Sequence, residues 1–147
     1  MYWIRKRRKK KASSVTKHYL AHKEPARELI QTRLQYWNQF YNFKYNRVAI
    51  RNQRRCWGSC TSLKNLNFSY KLLFLPPHLL DYIVVHELCH LQELNHGKDF
   101  WLLVEEQLPD RKSHIAELRV IEQGGMSYVR LEKLKETYSP HVGTSLN

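Results

Sequence analysis

The chain has 147 residues, 42% of them hydrophobic, and a formal net charge of +12, a length suited to one domain with its own core. No apolar run approaches the roughly 20 residues that a membrane-spanning helix needs, which excludes a helical membrane protein. Four Trp, nine Tyr and five Phe exclude a disordered chain.

The charge is unevenly spread. Arg5, Lys6, Arg7, Arg8, Lys9, Lys10 and Lys11 form one run, and removing these seven from +12 leaves +5 for the rest. Such a block repels itself and can attract phosphate backbones or anionic surfaces by counterion release, so it is either a candidate contact for DNA or RNA or, equally, a solvated solubilising tail. The start is basic and then polar, unlike a signal peptide, and Cys56, Cys60 and Cys89 cannot all pair with one another. The expectation is a cytoplasmic monomer with idle thiols. Residues 1–22 read as a flexible basic arm, 23–122 as the folded domain, and 123–147 as a helical extension with a frayed tail.

Ile30, Leu34, Trp37 and Tyr41 recur at helical spacing, which predicts an amphipathic helix over 25–42 opened by Pro25. Val48 and Ile50 alternate with Arg47, Ala49 and Arg51, a short strand. Leu66, Phe68, Tyr70 and Leu72 alternate with Asn67, Ser69 and Lys71, a second strand. The residues between them, with Gly58, Ser59, Thr61, Ser62 and Asn65, suit turns. The sheet is expected to be small and largely antiparallel.

Pro76-Pro77 opens the next helix, along which Leu80, Ile83, Val84, Leu88, Leu91 and Leu94 form an apolar stripe. On its flank stands His86-Glu87-Leu88-Cys89-His90. Residues four apart on a helix are about 40° apart, so His86 and His90 can share one divalent ion, with Glu87 beside them as general base. His96 adds a third imidazole, but it lies about 240° round an unbroken helix from His90. The helix therefore has to end first, and Asn95 and Gly97 offer a break there. Glu93 shares the flank, as an accessory acid or a solvated carboxylate. His18, His22, His78, His114 and His141 are given no ligand role. Further helices are expected from Lys98 to Pro109, burying Phe100 or Trp101 with Val104 and Leu108, over 111–122 up to Gly124-Gly125, and over 126–138, docked or peripheral.

Three neutral ligands and an open position are the layout of a catalytic zinc site, in which bound water reaches a pKa near 7 and Glu87 can take its proton. The expected cofactor is one Zn²⁺ per chain. A zinc metallohydrolase acting on peptide bonds fits best. Phosphoanhydride hydrolysis of a nucleoside triphosphate is the rival, although no Gly-rich phosphate loop or carboxylate cluster accompanies it. A non-catalytic nucleic-acid-binding module with a structural zinc would not need Glu87 or the open position.

Arg-x-Trp-Gly-Ser-Cys at 55–60, Asn-Leu-Asn-Phe-Ser-Tyr-Lys-Leu at 65–72, Leu-Pro-Pro at 75–77, the stretch 81–91 and Asn-His-Gly-Lys-Asp-Phe-Trp at 95–101 resemble the YgjP-like metallopeptidase-domain family, related to SprT-like and WLM zinc proteases. The resemblance runs over about 25–122. It implies an α+β, minimal zincin-like fold, with His86, His90 and His96 as zinc ligands, Glu87 as base, and an edge strand that accepts an extended peptide. The SprT-like relatives are associated with DNA-bound substrates. One departure is visible: Cys56 stands between Arg55 and Trp57, where the family reads Arg-Trp-Gly-Ser-Cys.

Overall fold

The computed structural model describes residues 13–138; the basic run at 5–11 and the residues from 139 onward lie outside them. Five helices and three strands follow in the order α1 (Ser14–Tyr41), β1 (Arg47–Arg51), β2 (Gly58–Cys60), β3 (Asn65–Ser69), a 3₁₀ turn (Tyr70–Phe74), α2 (Pro77–Cys89), α3 (Lys98–Gln107), α4 (Arg111–Gln123) and α5 (Tyr128–Tyr138). The fold is α+β.

The first helix starts at Ser14, well before Pro25, so residues 14–22 belong to it. Ser13 caps it, its hydroxyl accepting from the Thr16 N–H. A proline inside a helix removes one hydrogen bond and costs about 3 kcal/mol or more. Contacts that local sequence cannot reveal offset this loss. Tyr19 donates to the Ile50 carbonyl at 2.9 Å, His18 reaches Tyr70 at 3.0 Å, and Ala26, Ile30 and Leu34 are buried. At the far end Asn42 takes the left-handed conformation (φ 55°) that Asn tolerates, and its N–H closes onto Asn38.

The sheet order is β1-β3-β2, with β1 parallel to β3 and β2 antiparallel to it. The expected antiparallel pairing of the first and last strands is thus overturned. The supposed turn around Gly58 is itself a strand, so β2 and β3 make the hairpin and β1 joins the opposite edge of β3. Leu66 and Phe68 alternate inward as expected, but the strand ends at Ser69 and the chain coils into the 3₁₀ turn.

Proline at the start of α2 suits a first turn whose N–H groups are unpaired anyway. Its core face carries Leu80, Val84 and Leu88, each of which contributes about 1.5–3 kcal/mol when fully buried. Arg33 of α1 grips Asp81 of α2 through two hydrogen bonds of 2.6 and 2.8 Å, fixing the start of this helix. The apolar stripe stops earlier than its sequence suggests: α2 ends at Cys89, and Leu94 is exposed. Gly125 (φ +86°) follows α4, in a conformation that costs only glycine nothing. The last helix docks through the fully buried Leu131. Among the described residues no helix is long and apolar enough to cross a membrane.

Candidate metal centre

His86 lies in the last turn of α2, His90 is its capping residue, and His96 sits just before α3. The break between them comes directly after Cys89, not at Asn95. Tight turns unwind the helix, with the Leu91 N–H bonding Leu88 and the Gln92 and Glu93 N–H groups both bonding Cys89. Neither Asn95 nor Gly97 takes a positive φ, and Gly97 serves as the extended cap of α3.

The early break brings the three imidazoles together. Their Nε2 atoms are pairwise 3.1 Å apart, an equilateral triangle. A tetrahedral zinc with bonds of about 2.0–2.1 Å places its nitrogens about 3.3 Å apart, so the spacing fits a small divalent ion. Each neutral imidazole has one N–H, and three nitrogens aimed at one point cannot all satisfy one another by hydrogen bonds. The Nδ1–H of His90 donates to the Glu93 carbonyl at 2.9 Å, which leaves His90 Nε2 as a bare acceptor. His86 Nδ1 lies 3.3 Å from the Tyr82 hydroxyl. From α3, Phe100 stacks on His90 at 4.4 Å and Trp101 on His96 at 5.8 Å.

Burial, with His90 and His96 adding repulsion, pushes His86 down to about 3, and burial also lowers His90. Both rings are therefore neutral at pH 7, as metal binding requires. Glu87 is buried beside them, and burial alone pushes its pKa up to about 8. Its Oε2 has no hydrogen-bond partner. A buried carboxylate oxygen without a partner is expensive, which fits a group whose partner arrives with ligand and substrate.

Strand β2 closes one side of this centre. A Cβ on Gly58 would lie 2.9 Å from Glu87 Cγ and 3.1 Å from the Asn67 carbonyl. A cleft of about 280 Å³ opens between β2 and α4, lined by Glu87, His86, Tyr82, Ile115, Leu118 and Arg119 among others. Trp57 spans it, its indole N–H donating to Glu122 at 2.9 Å.

Sequence reasoning missed Gly58, Tyr82 and the Glu93 carbonyl. Tyr82 had a signal, since it stands four residues before His86 on the same helical face. Gly58 lay inside a quoted motif but looked like a turn residue. Nothing local marks the Glu93 carbonyl. Glu93 itself is half-buried, His78 pairs with Glu117 at 2.7 Å, and His141 and the candidate contacts at 5–11 lie outside the described residues.

A helix packed on a small sheet and ending in three converging imidazoles beside a buried carboxylate is an arrangement that can hold a divalent ion next to a proton-accepting group. The model of the YgjP-like metallopeptidase domain matches residues 2–120, and the chain belongs to that family. The match reaches further toward the N-terminus than the motifs at 25–122 and takes in the basic run. The fold is similar to the crystal structures of two metallopeptidase zymogens. Pyrococcus abyssi abylysin has 21% identity and a TM-score of 0.58. Methanocaldococcus jannaschii jannalysin has 21% identity and a TM-score of 0.54. Each covers 64% of this chain and 95% of its own. A search of curated proteins finds no match.

Proposed function

We propose that the protein is a zinc-dependent peptidase in which His86, His90 and His96 hold one ion and Glu87 is the general base. The observation that carries this reading is the 3.1 Å triangle of Nε2 atoms beside the unpartnered Glu87 Oε2. A divalent ion there supplies Lewis acidity toward a carbonyl oxygen, acidifies adjacent water to a pKa near 7, and by its charge returns Glu87 to the carboxylate.

Glu87 takes a proton from the attacking water and passes it to the leaving amine. His90 keeps its ring fixed by donating to the Glu93 carbonyl, and Phe100 and Trp101 screen the imidazoles from solvent on the α3 side. The substrate peptide lies extended along β2, an outer strand of the sheet and the one beside Glu87, with its main chain meeting the free strand edge. One substrate side chain enters the cleft against Ile115 and Leu118.

Residues 5–11 contact DNA or RNA, bringing the peptidase to proteins bound there. The three cysteines are free, which suits a cytoplasmic protein, and we take the active unit to be a monomer.

Replacing His86, His90 and His96 together by Ala should remove one zinc per chain relative to wild type, measured by elemental analysis. Glu87→Gln should keep that zinc and lower hydrolysis of unfolded proteins and peptides by about 10²–10⁴-fold. Unchanged zinc content in the first variant, or undiminished hydrolysis in the second, overturns the assignment.

A further inference from the structure

His18 and His22 stand one turn apart on α1, and Glu132 reaches them from α5. His18 Nε2 lies 2.7 Å from Glu132 Oε1, and His22 Nε2 lies 4.0 Å from the same oxygen. One ligand atom from each of the three residues falls within 4.8 Å of the other two.

The opposite nitrogens of both rings are already engaged. His22 Nδ1 is 2.8 Å from the His18 carbonyl. A carbonyl only accepts, so Nδ1 carries the proton and Nε2 of the neutral ring is a bare acceptor. His18 Nδ1 is 3.0 Å from the hydroxyl of the fully buried Tyr70, which holds that ring in place. Tyr128 stacks on His18 at 3.9 Å, and Phe74 flanks both rings at 5.5 and 5.3 Å.

With no ion bound, the Tyr70 hydroxyl can donate to His18 Nδ1 and His18 Nε2–H to Glu132. His22 Nε2 lies 4.0 Å from the same carboxylate oxygen, too far for a hydrogen bond, with its lone pair open to solvent. A cation between them would take both Nε2 atoms and the carboxylate as ligands, with His18 Nδ1–H donating to the Tyr70 oxygen, the usual support for a metal-bound imidazole.

We infer that His18, His22 and Glu132 form a second metal site, which clamps the last helix onto the first. Two imidazoles and a carboxylate suit zinc or a similar first-row divalent ion, with a further position left to solvent. Access exists, because the His22 and Glu132 side chains are 32% and 40% exposed. A groove of about 430 Å³ lined by Phe74, Glu132, Lys135 and Glu136 opens beside them. A small shift of the Glu132 carboxylate toward His22 evens the two distances. The clamp joins residues 114 positions apart, and restraining so long a loop lowers the entropy of the unfolded chain. Glu132 lies beyond residue 120, where the family match ends, whereas His18 and His22 lie inside it.

The test uses the full chain, stripped with a chelator, dialysed against zinc and analysed for metal per chain. Wild type should hold two ions; His22→Ala and Glu132→Gln one each; His90→Ala one; and His90→Ala/His22→Ala none. Zinc should raise the Tm of His90→Ala and leave that of the double variant unchanged. Glu132→Gln keeps the size of the side chain and an acceptor for His18, so it carries the test if His22→Ala does not fold. One zinc in wild type that is lost in His90→Ala, or two retained in Glu132→Gln, overturns the second site. Loss of metal on His90→Ala reports separately on the first centre.

Discussion

Gly58 lies against Glu87 so closely that a Cβ on the glycine would sit 2.9 Å from the carboxylate's Cγ. The same Cβ would lie 3.1 Å from the Asn67 carbonyl oxygen, on the strand paired with β2. Gly58→Ala therefore has to displace either Glu87 or the β2–β3 pairing. We expect unchanged zinc content and a kcat lower by about 10²-fold, the usual effect of misplacing a catalytic group by about 1 Å. Wild-type kcat in a folded Ala variant would show that the close approach has no catalytic consequence.

Tyr82 presents its hydroxyl 3.3 Å from His86 Nδ1. Partners of this kind orient a ligand imidazole, and removing one typically weakens metal binding by about 10–100-fold. Tyr82→Phe should raise the zinc Kd at the triad by that factor in competition with a chromophoric chelator. An unchanged Kd would assign the hydroxyl to packing alone.

The metal-free chain should lose stability as it becomes alkaline. Burial raises Glu87 from its ordinary 4.5 to about 8, so the folded state keeps a proton that the unfolded chain releases. That contribution is complete below pH 4.5 and is lost as pH rises through 8. His86, pushed from 6.5 down to about 3, works in the other direction, complete above pH 6.5 and lost as pH falls toward 3. From pH 6.5 to 8 Glu87 therefore acts alone of the two, and chelated protein should lose on the order of 2 kcal/mol in urea unfolding. Glu87→Gln should flatten this slope, and identical slopes in both proteins would contradict the buried-carboxylate account.

Deleting residues 1–11 removes seven positive charges. Nucleic-acid affinity should fall, and the slope of log K against log salt should become shallower by several units. Peptide hydrolysis without nucleic acid should be unaffected. Equal salt slopes for the full and truncated chains would make the run a solubilising tail.

The sequence determined the parts of this protein that are local. His86, Glu87 and His90 come from helical spacing, α3 and α4 from periodicity and flanking Gly and Pro, and the need for a break before His96 from the helical angle. Tertiary structure decided where that break falls: tight turns after Cys89 and the bond from His90 to the Glu93 carbonyl place it, rather than Asn95 or Gly97. It also decided that α1 runs through Pro25, because Tyr19 and His18 find partners on β1 and the 3₁₀ turn, and that Gly58 lies in a strand beside Glu87. The difference has one physical cause. Periodicity encodes which side of an element is apolar, whereas strand pairing, a tolerated proline and a ring's hydrogen-bond partner depend on residues far away in the chain.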